Sequence, residues 1–346
     1  MARALLETDR VAVQGAWRDT QRTGRAVSGV ARLIGDSDAM SALRAAVRRA
    51  AAAPFPVLIE GESGTGKELV ARALHEEGPR RDETFAAVNC ATFSDDLIET
   101  ELFGHAKGAF TGAVQSRRGL LEASSGGTVF LDEVGELSPR AQAKLLRTLQ
   151  DGEIRKVGEN VTRRLDLRVV AATNRTLTGE AAEGRFRRDL LYRLDVVHLE
   201  VPPLRDRGSD IARLAAHYWD RALTQTRGRA RLARETMSAL AAHEWPGNVR
   251  ELQNVLAALA VAAPPHGEVG PELLPAAIRR AAEERRPTLA EARRAFDRAF
   301  VHDALTRAGG RRTLAARELG VSRQGLAKLV TRLGLAPQKA PRVRRP

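Results

Sequence analysis

The sequence predicts an α/β domain built on a parallel sheet, followed by smaller all-α units. Short apolar runs that end at polar or glycine residues alternate with helical stretches, as in a parallel sheet covered on both faces. After Arg207 the strand pattern stops, and Leu and Ala recur at helical spacing to about Arg280. The predicted strands of the sheet are 57–60, 85–90, 128–132 and 168–173.

Length and composition are those of a globular protein of two or three domains. The chain has 346 residues, of which 43% are hydrophobic, and no apolar run approaches the roughly 20 residues that span a membrane. The first ten residues are charged and lack an apolar signal core, so we expect a cytoplasmic protein with no membrane partner. The single cysteine, Cys90, excludes an internal disulfide and is expected to be a packing residue.

Positive charge is concentrated at the C-terminal end. The formal net charge is +13, and residues 279–346 hold 18 Lys/Arg against 6 Asp/Glu, a net +12. Such asymmetry favours a segment that binds a polyanion, although a solvated basic face is the alternative interpretation.

A phosphate-binding loop follows the first predicted strand. Glycines allow backbone N–H groups to face phosphate oxygens, a lysine supplies a positive charge, and the N-terminus of the next helix adds a favourable dipole. The usual Ser or Thr ligand of Mg²⁺ is replaced by Glu68, so the metal must depend on other groups. The residues of this loop that should bind ATP are Gly61, Glu62, Ser63, Gly64, Thr65, Gly66, Lys67 and Glu68.

The strand 128–132 ends in two carboxylates, Asp132 and Glu133, and resembles a Walker B element. On that resemblance Asp132 would organise Mg²⁺, and Glu133 would polarise the attacking water. The alternative is a strand that ends in solvated acids, which is weak beside a complete phosphate loop.

A glycine-rich stretch, 101–113, is the most specific feature of the chain. Glycines at 104, 108 and 112 prevent a stable helix or strand and leave Phe110 and Thr111 at a tip flanked by small residues. An ordinary turn whose phenylalanine packs inward is the alternative. The stretch resembles the sigma-54-contacting loop of bacterial enhancer-binding activators, with the contact residues Gly108-Ala109-Phe110-Thr111-Gly112-Ala113.

The ordered motifs together resemble this activator family from about residue 33 to residue 335. The resemblance implies an α/β fold, with an AAA+ parallel-sheet ATPase core and a small helical lid, plus a C-terminal all-α helix-turn-helix domain of the Fis type. No receiver or sensor domain is expected in the first thirty residues. The implied divisions are a short arm at 1–32, the ATPase core at 33–207, the lid at 208–282, a linker at 283–287, the helix-turn-helix at 288–335 and a basic disordered tail at 336–346.

The same resemblance assigns further residues to ATP turnover. Ile34 and Gly35 would receive the adenine, and Arg250 would close over the nucleotide from the lid. Asn174 would read the γ-phosphate, and Asn89 would hold the catalytic glutamate until the partner loop is engaged. Arginine fingers supplied to a neighbouring subunit of a ring, usually a hexamer, would be Arg187 and Arg193.

The basic C-terminal end, residues 313–333, has the pattern of a helix, a turn that contains Gly320, and a second helix. Ser322 is expected to cap the second helix, and Leu314, Ala315, Leu326 and Val330 have the spacing to pack two crossed helices. On the resemblance to Fis-type domains, the major groove would be read by Arg323, Gln324 and Lys328, with Arg332 nearer phosphate. An αα-hairpin with a basic face is the alternative.

The leading hypothesis is an ATP-dependent activator with Mg²⁺ as cofactor. Its partners would be upstream enhancer DNA, sigma-54 RNA polymerase holoenzyme, and other copies of itself, assembling from DNA-bound dimers into a ring. Two alternatives are another AAA+ remodelling ATPase, whose pore loop also carries an aromatic residue, and a DNA-binding regulator with a vestigial ATPase.

Overall fold

The computed structural model describes residues 29–111, 113–284, 289–333 and 335. Most of the arm, part of the linker, the tail and Gly112 lie outside these residues. The strands are β1 Val57–Glu60, β2 Phe85–Asn89, β3 Gly104–His105, β4 Arg117–Arg118, β5 Thr128–Asp132, β6 Glu153–Arg155, β7 Thr162–Arg164, β8 Arg168–Thr173, β9 Val197–Glu200, β10 Arg231–Leu232 and β11 Glu268–Val269. The α-helices are α1 Asp38–Ala51, α2 Lys67–Glu76, α3 Asp95–Phe103, α4 Leu120–Ala123, α5 Pro139–Asp151, α6 Leu177–Ala182, α7 Arg188–Leu194, α8 Ile211–Thr226, α9 Arg234–Ala242, α10 Asn248–Ala262, α11 Ala276–Glu284, α12 Leu289–Arg307, α13 Arg312–Glu318 and α14 Arg323–Arg332.

A parallel five-stranded sheet, in the order β2-β5-β8-β1-β9, forms the centre of the fold. The sequence predicts four of its strands, β1, β2, β5 and β8, and the α/β fold class is confirmed. The edge strand β9 was not predicted, because its exposed His198 and Glu200 interrupt the apolar run that marks a buried strand. Short antiparallel pairs β3–β4 and β6–β7 lie outside this sheet.

Helices cover both faces of the sheet. Because side chains alternate along a strand, β1 sends Leu58 to one core cluster and Val57 and Ile59 to the other. Cys90 lies in the first of these clusters at 2% exposure, and burial raises the pKa of its thiol to about 12. Its predicted role as a packing residue is therefore confirmed.

The chain divides into two compact units, residues 1–279 and 280–346. Within the second unit, helices α12 to α14 share a small apolar cluster that includes Ala315, Leu326 and Val330. Leu314, which we expected in this packing, is instead 47% exposed, because Ala315 and Ala316 occupy the inner face of α13. No helix in the described part of the chain is long and apolar enough to cross a membrane.

Candidate nucleotide site and contact loop

The candidate ATP site lies at the carboxyl edge of the sheet. The phosphate loop leaves β1, and β5 ends at Asp132 two strands away, so parallel pairing brings both to one edge. The pairing of Asn89 with Asp132 places the end of β2 there too. Open α/β sheets bind ligands at this position, outside the carboxyl ends of the strands.

The phosphate loop turns into α2 through a glycine that a side chain would strain. Gly66 caps the helix with φ of 104° and ψ of 29°, in the left-handed region, and Lys67 is the first helical residue. The Lys67 ammonium is 7% exposed and donates a 2.7 Å hydrogen bond to the carbonyl of Gly61. It also lies 3.5 Å from Glu133 Oε1, so the loop and the end of β5 are linked.

The two carboxylates after β5 have different partners. Asp132 Oδ2 accepts a 3.0 Å hydrogen bond from the side-chain amide of Asn89, while Glu133 Oε2 accepts one of 3.0 Å from the backbone N–H of Asn174. We expected Asn89 to hold the glutamate, and in this structure its amide contacts Asp132 instead. The direct reason is the strand register, which sets Asn89 beside Asp132.

Asp132 and Glu133 could supply one or two carboxylate ligands to a divalent cation at the end of β5. Burial, and then the negative charge of Glu133, raises the pKa of the Asp132 carboxyl, although Lys67 opposes the shift. Glu68 also lines the nucleotide cavity, but its carboxylate forms a 2.8 Å ion pair with Arg72 on the surface of α2. No group of three or more His, Cys, Asp or Glu within the described residues could hold a metal alone. Mg²⁺ commonly needs only one or two carboxylates, with substrate phosphates and water completing its shell.

A cavity of about 520 Å³ extends from the phosphate loop toward the start of α1. Gly35 lies at this end with φ of +146°, and an added Cβ would lie 2.5 Å from Asp210 Oδ2. Asp210, 1% exposed, accepts hydrogen bonds from the backbone of Asp36 and Ser37, which fixes this edge to the connection between the sheet and α8. The cavity lining includes Ile34, Met40, Gly64, Lys67, Asn89, Asp132, Glu133, Val201, Arg207, Leu214, Tyr218 and Arg250.

The lid reaches the phosphate loop through Arg250. Its guanidinium donates a 3.2 Å hydrogen bond to Ser63 Oγ, and its backbone N–H donates to the carbonyl of Gly64. The structure thus brings Arg250 to the same cavity as the residues of the sheet edge. Three neighbours that our sequence reasoning did not select, Asn248, Arg205 and Arg207, also contact the loop. Their partners in the phosphate loop lie more than 140 residues away in the sequence, so the local sequence pattern could not indicate these contacts.

The two candidate fingers are not part of the cavity lining. Arg187 forms a 2.7 Å ion pair with Asp189, and Arg193 is exposed on α7. Their exposure leaves both side chains accessible to another molecule. The cavity within one chain is therefore lined by the phosphate loop, by the two carboxylates after β5 and by Arg250, but not by Arg187 or Arg193.

The glycine-rich stretch projects between the short strands β3 and β4. Gly108 N–H donates to the carbonyl of Ala113 at 2.8 Å, which closes the turn, and Phe110 and Thr111 are both exposed. The Phe110 ring makes a T-shaped contact with the His105 ring, with centroids 5.1 Å apart, and Phe110 is 47% exposed. This phenylalanine is not packed inward, so the alternative of an ordinary inward turn does not hold here.

Comparison with known proteins identifies the family. The chain matches a sigma-54 interaction domain over residues 33–200, an AAA+ ATPase lid domain over 205–291 and a Fis-family bacterial regulatory protein domain over 292–329. It is 42% identical to the transcriptional regulatory protein ZraR of Klebsiella oxytoca, over 87% of this chain and 68% of that protein. The chain belongs to the sigma-54-dependent activators.

The chain covers different shares of its other relatives. The Nif-specific regulatory protein of Klebsiella pneumoniae is 49% identical over 67% of this chain, but the match spans only 44% of that relative's length. A crystal structure of NtrX from Brucella abortus in complex with ATP is 32% identical, with a TM-score of 0.67, and covers 96% of this chain and 74% of that one. The AAA+ core, the helical lid and the C-terminal helical domain that the sequence predicts are confirmed.

The activator's C-terminal unit carries the candidate DNA-reading helix, α14. Ser322 Oγ accepts a 3.0 Å hydrogen bond from Gly325 N–H, which confirms the predicted N-cap. Leu326 and Val330 face the apolar cluster. The predicted contact residues on this helix, Arg323, Gln324, Lys328 and Arg332, are all exposed.

Proposed function

We propose that this activator binds upstream DNA, assembles into a ring and uses ATP hydrolysis to convert closed sigma-54 RNA polymerase complexes into open ones. Since the holoenzyme and its promoters are in the cytoplasm, the protein acts there. The observation that carries the proposal is the combination, within one compact unit, of a preorganised nucleotide site and an exposed aromatic loop.

The residues of the cavity divide the work of hydrolysis. Lys67 and the backbone of residues 61–66 bind the phosphates, while Ile34 and Gly35 face the base and Arg250 covers it from the lid. Asp132 would hold Mg²⁺, and the ion would supply positive charge next to the phosphoryl oxygens. Glu133 polarises the attacking water, and Asn174 places this carboxylate through its backbone N–H.

Ring assembly completes the site. Arg187 and Arg193 are absent from the cavity of their own chain and are exposed, so a neighbouring subunit would supply them as fingers. Such an arginine, supplied in trans, is worth about a thousandfold or more in rate. The hexamer is the ring size that we propose.

The exposed Phe110 and Thr111 make contact with sigma-54, and the hydrogen bond between Gly108 and Ala113 closes the turn that presents them. DNA binding belongs to α14, whose basic residues are exposed while Leu326 and Val330 pack in the apolar cluster. DNA-bound dimers, formed through the helices of the C-terminal unit, raise the local concentration of ATPase subunits near the promoter.

The decisive experiment is nucleotide-dependent binding of the full chain to purified sigma-54. We expect stable complex formation with ADP and an aluminium or beryllium fluoride, and none without nucleotide. In a purified sigma-54 transcription system, ATP should yield open complexes and a non-hydrolysable analogue should not. Open complexes formed equally with both nucleotides would overturn the proposed coupling of hydrolysis to remodelling.

The DNA assignment has its own test. Removing the residues after Pro287 should abolish salt-sensitive binding to upstream DNA in a gel retardation assay, because these residues carry +10 of the net charge of +13. ATP turnover by the remaining ATPase unit at high protein concentration controls for folding. Retained DNA binding with the same salt dependence would contradict the assignment.

A further inference from the structure

Asn248, the first residue of α10, joins three separate segments through its side-chain amide. Its Oδ1 accepts a 2.7 Å hydrogen bond from Leu204 N–H, in the connection that follows β9. Its Nδ2 donates to Glu62 Oε2 at 3.1 Å and to the carbonyl of Ser63 at 3.0 Å, both in the phosphate loop. One amide therefore contacts the lid connection and the phosphate loop at once.

The environment of Asn248 is costly for an ordinary turn residue. The side chain is 0% exposed, and the backbone has φ of 52°, in the left-handed region that asparagine tolerates better than most residues. An asparagine that only shapes a turn bonds to its own neighbouring backbone. All of the hydrogen bonds that its side chain makes here go to residues at least 44 positions away.

The residues after Asn248 continue the docking. Val249 and Arg250 both donate backbone hydrogen bonds to the carbonyl of Gly64, at 3.0 and 3.3 Å. The approach is so close that a Cβ on Gly64 would lie 2.4 Å from the carbonyl oxygen of Gly247. The first turn of α10 therefore rests on the phosphate loop itself, and Arg250 is carried on that turn.

Glu62 extends the link back to the sheet-to-lid connection. Its carboxylate accepts 2.9 and 2.6 Å hydrogen bonds from the guanidinium of Arg205, which follows Leu204. Leu204 and Arg205 thus meet the two ends of the Asn248–Glu62 contact. If nucleotide binding moves the phosphate loop, Glu62 and Ser63 move with it. Their hydrogen bonds to Asn248 would then shift the first turn of α10, at the base of the lid.

We propose that Asn248 is a positioning residue that couples the conformation of the phosphate loop to the placement of Arg250 over the bound nucleotide. Nucleotide binding would then change the position of the lid through the Asn248 amide, which contacts the phosphate loop and does not contact the nucleotide. The inference rests on the proposed function, because it requires that the cavity binds ATP.

The test is Asn248→Asp in the full chain, with ATP and Mg²⁺ binding measured by calorimetry. This substitution keeps the side-chain size and the acceptor for Leu204 N–H, but removes both donors and sets a carboxylate against Glu62. We expect ATP to bind at least about tenfold more weakly, the size typical of a lost hydrogen bond to a charged group. The matched control is Asn254→Asp, the same chemical change at an exposed position of α10, which should bind ATP as the wild type does.

A double-mutant cycle separates positioning from general stability. If Asn248 acts through Arg250, adding Asn248→Asp to Arg250→Ala should weaken ATP binding by less than about twofold further. Additive losses would overturn the coupling. In the Asn248→Asp chain, Glu62→Gln should recover part of the affinity, since the new amide can donate to the new carboxylate, whereas a loss that stays complete would contradict the direct contact.

A second variant keeps the inference testable should Asn248→Asp fold poorly. Glu62→Ala removes the exposed end of the same link and should weaken ATP binding by about threefold, less than the loss of a buried charged hydrogen bond. Unchanged affinity in the folded variants would overturn this inference alone. A wild-type chain that binds no ATP would overturn the proposed function together with it.

Discussion

The phosphate loop and the contact loop are both rich in glycine, but they use it for opposite purposes. At Gly64 an added Cβ would meet the Gly247 carbonyl at 2.4 Å and Arg250 Cβ at 3.0 Å. At Gly108, which also has a positive φ, no atom would lie within 4 Å of the added Cβ. The first glycine allows close packing, whereas the second only allows a turn.

The side chains of the two loops differ in the same way. Lys67 is buried and bonded within the site, while Phe110 is 47% exposed on the tip of its loop. A site that binds a small, fixed ligand is largely preformed, whereas groups that meet a macromolecule remain on the surface until the partner covers them. Substitutions in the contact loop should therefore leave ATP turnover intact, whereas substitutions in the phosphate loop should lower turnover and, on the proposed function, activation with it.

The largest effect is expected at Lys67. Lys67→Ala removes the buried side chain that lies 3.5 Å from Glu133 and that we propose binds the phosphates. ATP turnover should fall by about a thousandfold or more, as for other groups that stabilise transition-state charge. A phosphate-release assay measures this, with Lys107→Ala, the neutralised exposed lysine beside the contact loop, as control. Turnover that survives Lys67→Ala would remove the phosphate loop from the mechanism.

The next effect concerns the contact loop. Thr111 is exposed and is not part of the nucleotide cavity lining, so Thr111→Ala should keep ATP turnover within about twofold of the wild type. Open-complex formation with sigma-54 holoenzyme should drop by about a hundredfold, a loss that corresponds to one well-placed interface contact. Full activation by this variant, or a parallel loss of turnover, would break the separation of the two loops.

Sequence reasoning reached the nucleotide site where local pattern suffices. Lys67 and Asp132 follow short buried strands, and such strands give continuous apolar runs that can be read directly. It missed β9, because only Leu199 of that edge strand is buried. It also missed Asn248, whose contacts arise only when α10 folds onto a loop 185 residues earlier. The partner of Asn89 depended on strand register, which apolar runs do not specify.

A matched pair of glycine substitutions tests the packing difference directly. Gly64→Ala forces a Cβ against the lid backbone, and ATP binding should weaken by about tenfold, consistent with an overpacking cost of 1–3 kcal/mol. Gly108→Ala adds only the strain of a positive φ, about 1 kcal/mol, and should leave ATP affinity unchanged. Calorimetric titration of both variants gives the comparison, and equal losses of affinity would refute it.

The smallest effect is a pH-dependent one at Glu62, where the phosphate loop meets the lid connection. Hydrogen bonds from Arg205, and then from Asn248, lower the pKa of the Glu62 carboxyl from 4.5 to about 2. A carboxyl whose pKa is lowered in the folded state contributes stability above pH 4.5 and loses it as the pH falls toward 2. Since the side chain is 42% exposed, Glu62→Gln should lower the melting temperature by only a few degrees at pH 7. The difference in melting temperature between wild type and Glu62→Gln should shrink as the pH is lowered through this range. The control is Glu159→Gln, which breaks an ion pair with Arg163 away from the phosphate loop and should leave ATP affinity unchanged. A melting-temperature difference that stays constant down to the acid limit would mean that the Glu62 charge does not hold this loop to the lid connection.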